Sequence, residues 1–373
     1  MFWQESPSPH QAPWIRCLPE IWPDVTVVGV FRSRLADKRI SLGWHLPDYG
    51  KMRVLLSPGR LILEDLLLDD PGGTIHIFSG GENARLNSAI KEALLAGSLV
   101  GILSEGRDWR RLQGILRQGH SLLNERIYRK RVHFVLAMGH LATRWYQTCG
   151  FNQEQIFPFC YVVEKSETAS QGRSNSSLVN LSFVGQLIRR KRVDLLVNSL
   201  YRIKSKNWNL RIIGDGKERL AIEKLVQRRQ LTKLIDMTGV LDNSAVRTQL
   251  ALSDVVVLPS QWDGWGAVVN ESLMSGVPVI CSDFCGASDL ILPKFNGDLF
   301  ESCSVDSLAE VLEEWISMGP LNAPARERIF NWSRCIEGKT VAGYFIEIID
   351  YLQGTRSERP KAPWLTENGR QEL

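Results

Sequence analysis

Short apolar runs alternate with longer stretches of helical periodicity along most of the chain. In the first half the runs cover residues 25–31, 52–58, 74–80, 99–106 and 132–138. In the second half they cover 178–185, 210–216, 234–239, 254–260 and 277–283. Each is four to eight residues of mostly aliphatic character bounded by Gly, Pro, Asp or Ser, the pattern of a buried strand. Between several of them lie helical segments, such as 82–96 and 109–128, and 340–354 is an amphipathic helix near the end. Strands alternating with helices predict βαβ units and parallel sheets. A further strand candidate opens the chain at residues 1–4.

The stretch 163–178 breaks this rhythm. It is polar, rich in Ser and poor in large apolar residues, and it reads as a linker with the boundary near Ser170. The chain has 373 residues, more than one typical core holds. The expected organisation is a first α/β domain over 1–168 and a second over 169–340. Residues 341–373 would be a helix crossing back to the first domain, plus a polar tail. Two doubly wound Rossmann-like domains would enclose a cleft, and in such sheets ligands bind beyond the carboxyl ends of the strands.

Composition narrows the class without naming the chemistry. Apolar residues at 44% and charged residues at 23% are those of a soluble globular protein. The net charge of +4 is too mild to suggest a nucleic-acid partner. The seven cysteines are odd in number, scattered and free of any CxxC, which fits reduced thiols better than a disulfide frame or a zinc site. The first residues lack the basic and apolar segments of a signal peptide, and no apolar run approaches the ~20 residues of a spanning helix. These features predict a cytoplasmic protein that can still lie against a membrane.

The most informative stretch is QWDGWGAVVNESLMSGVPVICSD, residues 261–283. A turn around Gly264 and Gly266 follows a strand and leads into a helix. The glycines allow a sharp bend and a close ligand approach. The amides of Trp265, Gly266, Ala267 and Val268 would then be unpaired donors at a helix start, suited to a diphosphate. Asp263 before the turn can accept two hydroxyl hydrogen bonds, as a sugar requires. Glu271 lies on the helix face of Ala267 and can hold a ribose. The same letters also fit an N-capping Asp and a partly solvated Glu on an ordinary crossover.

The segment 259–291 resembles the donor site of the family-four retaining glycosyltransferases, enzymes of the GT-B fold. Their hallmark is an acid, seven residues and a Glu, then small-Gly-x-Pro-Val. Asp263 and Glu271 match the spacing, although the family usually has Glu first. Other pieces follow in family order at 181–200, 210–220, 237–260 and 295–300. The resemblance covers 178–351 well and the first half loosely. It implies that Glu271 holds the ribose, that Asp263 contacts donor-sugar hydroxyls, and that no metal or other cofactor is needed. The family's diphosphate-binding G-R-L-x-x-x-K-G corresponds to Gly185, Gln186 and onward to Lys191. Lys191 matches, Gln186 replaces the Arg, and Arg192 replaces the final Gly. Arg189, Arg190 or Arg192 can compensate for the missing charge, while a solvated basic turn is the plain alternative.

In the first half, His76 is a catalytic candidate or a hydrogen-bonded core histidine. His10, in a Ser/Pro-rich first loop, and Glu105, at a strand end, are acceptor-side candidates, with a surface acid as the alternative for Glu105. Eight basic residues and two acids between 107 and 131, with Trp and Leu at helical spacings, suit either an anionic membrane surface or a core-packed helix with a charged outer face. The resulting expectation is a retaining glycosyltransferase. It would take a nucleoside-diphosphate sugar as donor and a saccharide or lipid-linked saccharide as acceptor, in bacterial surface polysaccharide synthesis. The alternatives are a nucleotide-sugar epimerase or hydrolase and a catalytically weakened nucleotide-sugar-binding partner.

Overall fold

A computed structural model of the chain describes residues 1–35, 45–80, 84–164 and 177–366. The chain divides into two compact units, residues 1–164 with 336–366, and residues 165–335 with 367–373. Residues 165–176, most of the Ser-rich linker candidate, lie outside the described residues, as do 81–83 and the polar tail from 367.

The first unit is built on seven parallel strands: β1 (Phe2–Gln4), β2 (Val28–Phe31), β3 (Arg53–Leu56), β4 (Ile75–Ser79), β5 (Leu99–Glu105), β6 (Phe134–Met138) and β7 (Ile156–Phe159). Their order is β3-β2-β1-β4-β5-β6-β7. Central strands such as β6 are buried at every position, because helices cover both faces of a doubly wound sheet. The core gathers Trp3, Val30, Phe78, Ile102, Val135 and Trp145. Helix Gly338–Gln353 belongs to this unit, although it lies far away in sequence. Phe345, on its buried face, sets its ring against Phe2, Trp14 and Phe134, with centroids 6.2, 5.4 and 6.4 Å away. Burying one such side chain contributes about 2–3 kcal/mol.

The second unit has six parallel strands: β8 (Val179–Val184), β9 (Trp208–Ile213), β10 (Ile235–Gly239), β11 (Val255–Leu258), β12 (Val279–Ser282) and β13 (Gly297–Phe300). Their order is β10-β9-β8-β11-β12-β13. Chain order reverses between β8 and β11, which pair directly at Val255 with Leu181 and Val256 with Ser182. Loops leaving the carboxyl ends of these two strands are therefore neighbours, and the reversal opens the crevice where doubly wound sheets take their ligands. A buried ion pair steadies the opposite end. Arg326, in helix Ala323–Trp332, donates to Asp254 at 2.8 Å and to the Ser253 carbonyl at 2.7 Å, just before β11.

All seven cysteines are free thiols. Among the described residues no helix is long and apolar enough to cross a membrane, and no group of three His, Cys, Asp or Glu side chains is placed to hold a metal ion.

Candidate functional site

Two loops meet at the switch point of the second sheet. The first follows β8, passes through Gly185 and closes in the 3-10 turn Arg189–Lys191. It rests on the loop after β9. Leu187 donates its amide to the Asp215 carbonyl at 2.9 Å, and a Cβ at Gly214 would fall on the Gly185 carbonyl oxygen. Gly214 has φ of +135°, so both space and backbone demand glycine there. The second loop follows β11 and carries Asp263. Its backbone is tied to the first where Gln261 donates to the Arg190 carbonyl at 2.8 Å.

The side chains complete the junction. Lys191 Nζ donates to Asp263 Oδ2, Arg190 Nη1 lies 3.3 Å from Oδ1, and Ser260 Oγ donates to Oδ2 at 3.2 Å. Asp263 is buried, which alone would raise its pKa. The charges of Lys191 and then Arg190 outweigh that burial and hold its carboxyl below the usual carboxylate range. Of the four basic residues 189–192, Arg190 and Lys191 turn to the acid. Arg192 instead pairs with Asp194 at 3.0 Å, and Arg189 is exposed. Gln186 is exposed as well.

Arg192 stands where the resembling motif has glycine, and its backbone is left-handed, with φ of 50° and ψ of 41°. The glycine of that motif thus answers a backbone demand at the entry to helix Val193–Arg202. Arg192→Val should be less stable than Arg192→Gly by about 1–2 kcal/mol, because a β-branched residue fits this region worst. Urea midpoints of the two variants check this, and equal midpoints would remove the demand.

Beyond Asp263 the chain turns through Gly264 and Gly266 into the short helix Val268–Leu273. Gly266 has φ of +97°, and a Cβ there would come within 2.9 Å of Cys285 Sγ. Trp265 points inward, fully buried, with Nε1 donating to Asn270 Oδ1 at 2.7 Å. The amides of Gly264, Gly266, Ala267 and Val268 find no acceptor among the described residues. Glu271 is half-buried, and among the described residues its carboxylate has no hydrogen-bond or ion-pair partner. Desolvation pushes its pKa up, and Arg247 draws it back only in part. The junction therefore holds a fixed acid, two cations, a row of free amides and a carboxylate short of donors.

The first unit brings His10 and Glu105 into one cluster through Tyr161, a residue that no motif singles out. The His10 and Tyr161 rings stack with centroids 5.6 Å apart, and Tyr161 donates its hydroxyl to Glu105 Oε1 at 2.7 Å. Glu105 is the last residue of β5, and His10 and Tyr161 follow the carboxyl ends of β1 and β7. His76 is elsewhere. It is the second residue of β4, fully buried, and its Nδ1 accepts from Trp3 Nε1 at 2.9 Å. Burial, aided by the chain's amino terminus, lowers its pKa to about 3. A neutral histidine bonded to a core tryptophan at the amino end of a strand fits the core alternative for His76.

Comparison with known proteins supports one class. Residues 165–332 match the family model described as glycosyl transferases group 1. A 182-residue stretch is 29% identical to an uncharacterized glycosyltransferase of Methanocaldococcus jannaschii, covering 47% of this chain and 50% of that protein. The chain spans about half the length of that relative. Among solved structures, a lipopolysaccharide outer core galactosyltransferase in its apo form superposes with a TM-score of 0.71. The two are 17% identical, over 93% of this chain and 98% of the other. A protein of Anabaena in complex with UDP gives 0.70 at 14% identity, over 94% and 98%. Two parallel-sheet Rossmann-like domains in one chain match the GT-B fold of such glycosyltransferase structures.

Proposed function

We propose that the protein transfers a sugar from a nucleoside-diphosphate sugar to a saccharide or lipid-linked saccharide acceptor with retention of configuration. The observation that carries this reading is the junction of Asp263 with Lys191 and Arg190, set before the free amides of Gly264 and Gly266–Val268 and the unpartnered Glu271. A nucleotide-sugar presents groups for each: a diphosphate for the cations and amides, ribose hydroxyls for Glu271, and sugar hydroxyls for Asp263. Solved neighbours with bound UDP and UDP-glucose support this donor class.

In this reading the anomeric C–O bond to the diphosphate breaks while the acceptor oxygen bonds to the same face. Lys191, Arg190 and the amides stabilise the charge that develops on the leaving diphosphate, often the largest catalytic contribution. The leaving phosphate takes the proton of the acceptor hydroxyl, so no separate acid–base pair and no metal is required. The first unit, with His10, Tyr161 and Glu105, receives the acceptor. The work belongs to surface polysaccharide synthesis at the cytoplasmic side of a membrane. The lipopolysaccharide outer core galactosyltransferase neighbour supports the polysaccharide part of that setting.

The test is a product assay across common nucleotide-sugars, with and without acceptor extract. The reading predicts a glycosylated product with one donor, and Glu271→Ala is expected to raise KM for that donor about tenfold or more, since two charge-assisted hydrogen bonds are lost. Donor hydrolysis at equal rate without acceptor would favour a hydrolase. Calorimetric binding without any product would favour a binding subunit.

A further inference from the structure

Helix Arg111–Asn124 presents its apolar residues to solvent. Its inward face is small or polar: Gly114 and Ser121 are buried, Gln118 is half-buried, and Glu125 is buried just past the end. These groups are satisfied locally. Ser121 donates to Glu125 at 2.6 Å, Arg107 stands 3.7 Å from the same carboxylate, and Gln118 bonds Thr148 at 3.2 Å. The outward face carries Leu112 (79% exposed), Ile115 (61%), Leu116 (73%), Leu122 (41%) and Leu123 (65%). Spacings of three, four, ten and eleven residues join them into one stripe, continued by Ile127 in the next turn. Single exposed leucines are ordinary, but a continuous stripe marks a contact surface.

The surrounding charge says what would cover it. Arg126, Lys130 and Arg131 are exposed around the stripe, and exposed Arg144 lies over the Trp109 ring at 5.0 Å. The segment's two acids are compensated, Asp108 by Arg110 at 2.9 Å and Glu125 by burial beside Arg107. A second copy of the chain on this stripe would bring two cationic rims together, which like-charge repulsion opposes. We propose that this face docks on a bilayer carrying anionic headgroups. Leu112, Ile115, Leu116 and Leu123 enter the acyl boundary while Arg126, Lys130 and Arg131 meet the phosphates. A helix of this length lies flat in the interface, and long basic side chains reach outward to the headgroups. The inference rests on the first unit alone and stands apart from the donor site.

Vesicle flotation of the full chain tests it. The protein is expected to float with phosphatidylcholine vesicles containing phosphatidylglycerol and not with phosphatidylcholine alone, and added salt should weaken binding. Each surface cation is worth about a fivefold change in partitioning, so R126E/K130E should lower it by about 25-fold. L112S/I115S/L116S should lower it at least about tenfold with an unchanged melting temperature, because these side chains are already exposed. Asp263→Ala should float as the parent does. No flotation with either vesicle overturns the proposal, as does binding that survives the triple serine variant. A dimer seen by light scattering and abolished by that variant would assign the stripe to a second copy instead.

Discussion

Asp263→Ala is expected to lower kcat/KM for sugar transfer by at least about a hundredfold, the scale seen when one preorganised polar group is removed from a charge-stabilising site. The carboxylate does two things at once. It offers oxygens at the switch point of the second sheet, and it holds Lys191 and Arg190 in place. Its loss leaves Lys191, whose side chain is only 13% exposed, without an anion, so the variant should also melt earlier. Asp263→Glu separates the two effects. It keeps the charge and supplies the residue that the resembling family usually has, and it should retain activity within about tenfold. Because the folded carboxyl lies below its ordinary value of 3.8, the pair's stabilisation is present above that pH and is lost as pH falls through the depressed value. If Asp263→Ala keeps its turnover within threefold, the donor site lies elsewhere.

The largest stability loss is expected from Arg326→Leu, about 3–5 kcal/mol by urea unfolding of the second unit. Arg326 and Asp254 are each 1% exposed, and the substitution strands a buried carboxylate. Asp254 also accepts the Asn180 amide at 2.8 Å, so it cannot turn away to water without breaking the start of β8. Adding Asp254→Asn should recover at least about 1 kcal/mol, since a neutral amide can keep that bond without an unpaired charge. The exposed Arg60–Glu64 pair is the control: Arg60→Ala should shift stability by less than about 0.5 kcal/mol. An Arg326→Leu variant as stable as the Arg60→Ala control would show that the buried pair contributes nothing net.

Ten apolar runs and the candidate at residues 1–4 mark eleven of the thirteen strands among the described residues, because a strand covered on both faces is written as consecutive aliphatic residues. β7 and β13 escape that reading for a physical reason. Each lies at a sheet edge with one strand neighbour, and each can carry a Pro or a Gly and an Asp where a central strand could not. At the candidate site, the turn-helix pattern draws attention to Asp263 and Glu271, and the family resemblance adds Lys191. Neither can say which of four adjacent basic residues reaches the acid, because that depends on the 3-10 turn Arg189–Lys191 and the left-handed Arg192. Tyr161 is invisible for another reason: it meets Glu105 from 56 positions away and lies in no motif. Periodicity likewise gives helix Arg111–Asn124 an apolar stripe, but not the side that faces solvent.

Helix Gly338–Gln353 has a consequence for synthesis. The ribosome releases residues 165–335 of the second unit before the residues that cover Phe2 and Trp14 emerge. The six-stranded unit can therefore mature while its sibling still waits with an uncovered aromatic patch. A chain cut short just before this helix would leave that patch open to aggregation rather than merely lacking a tail.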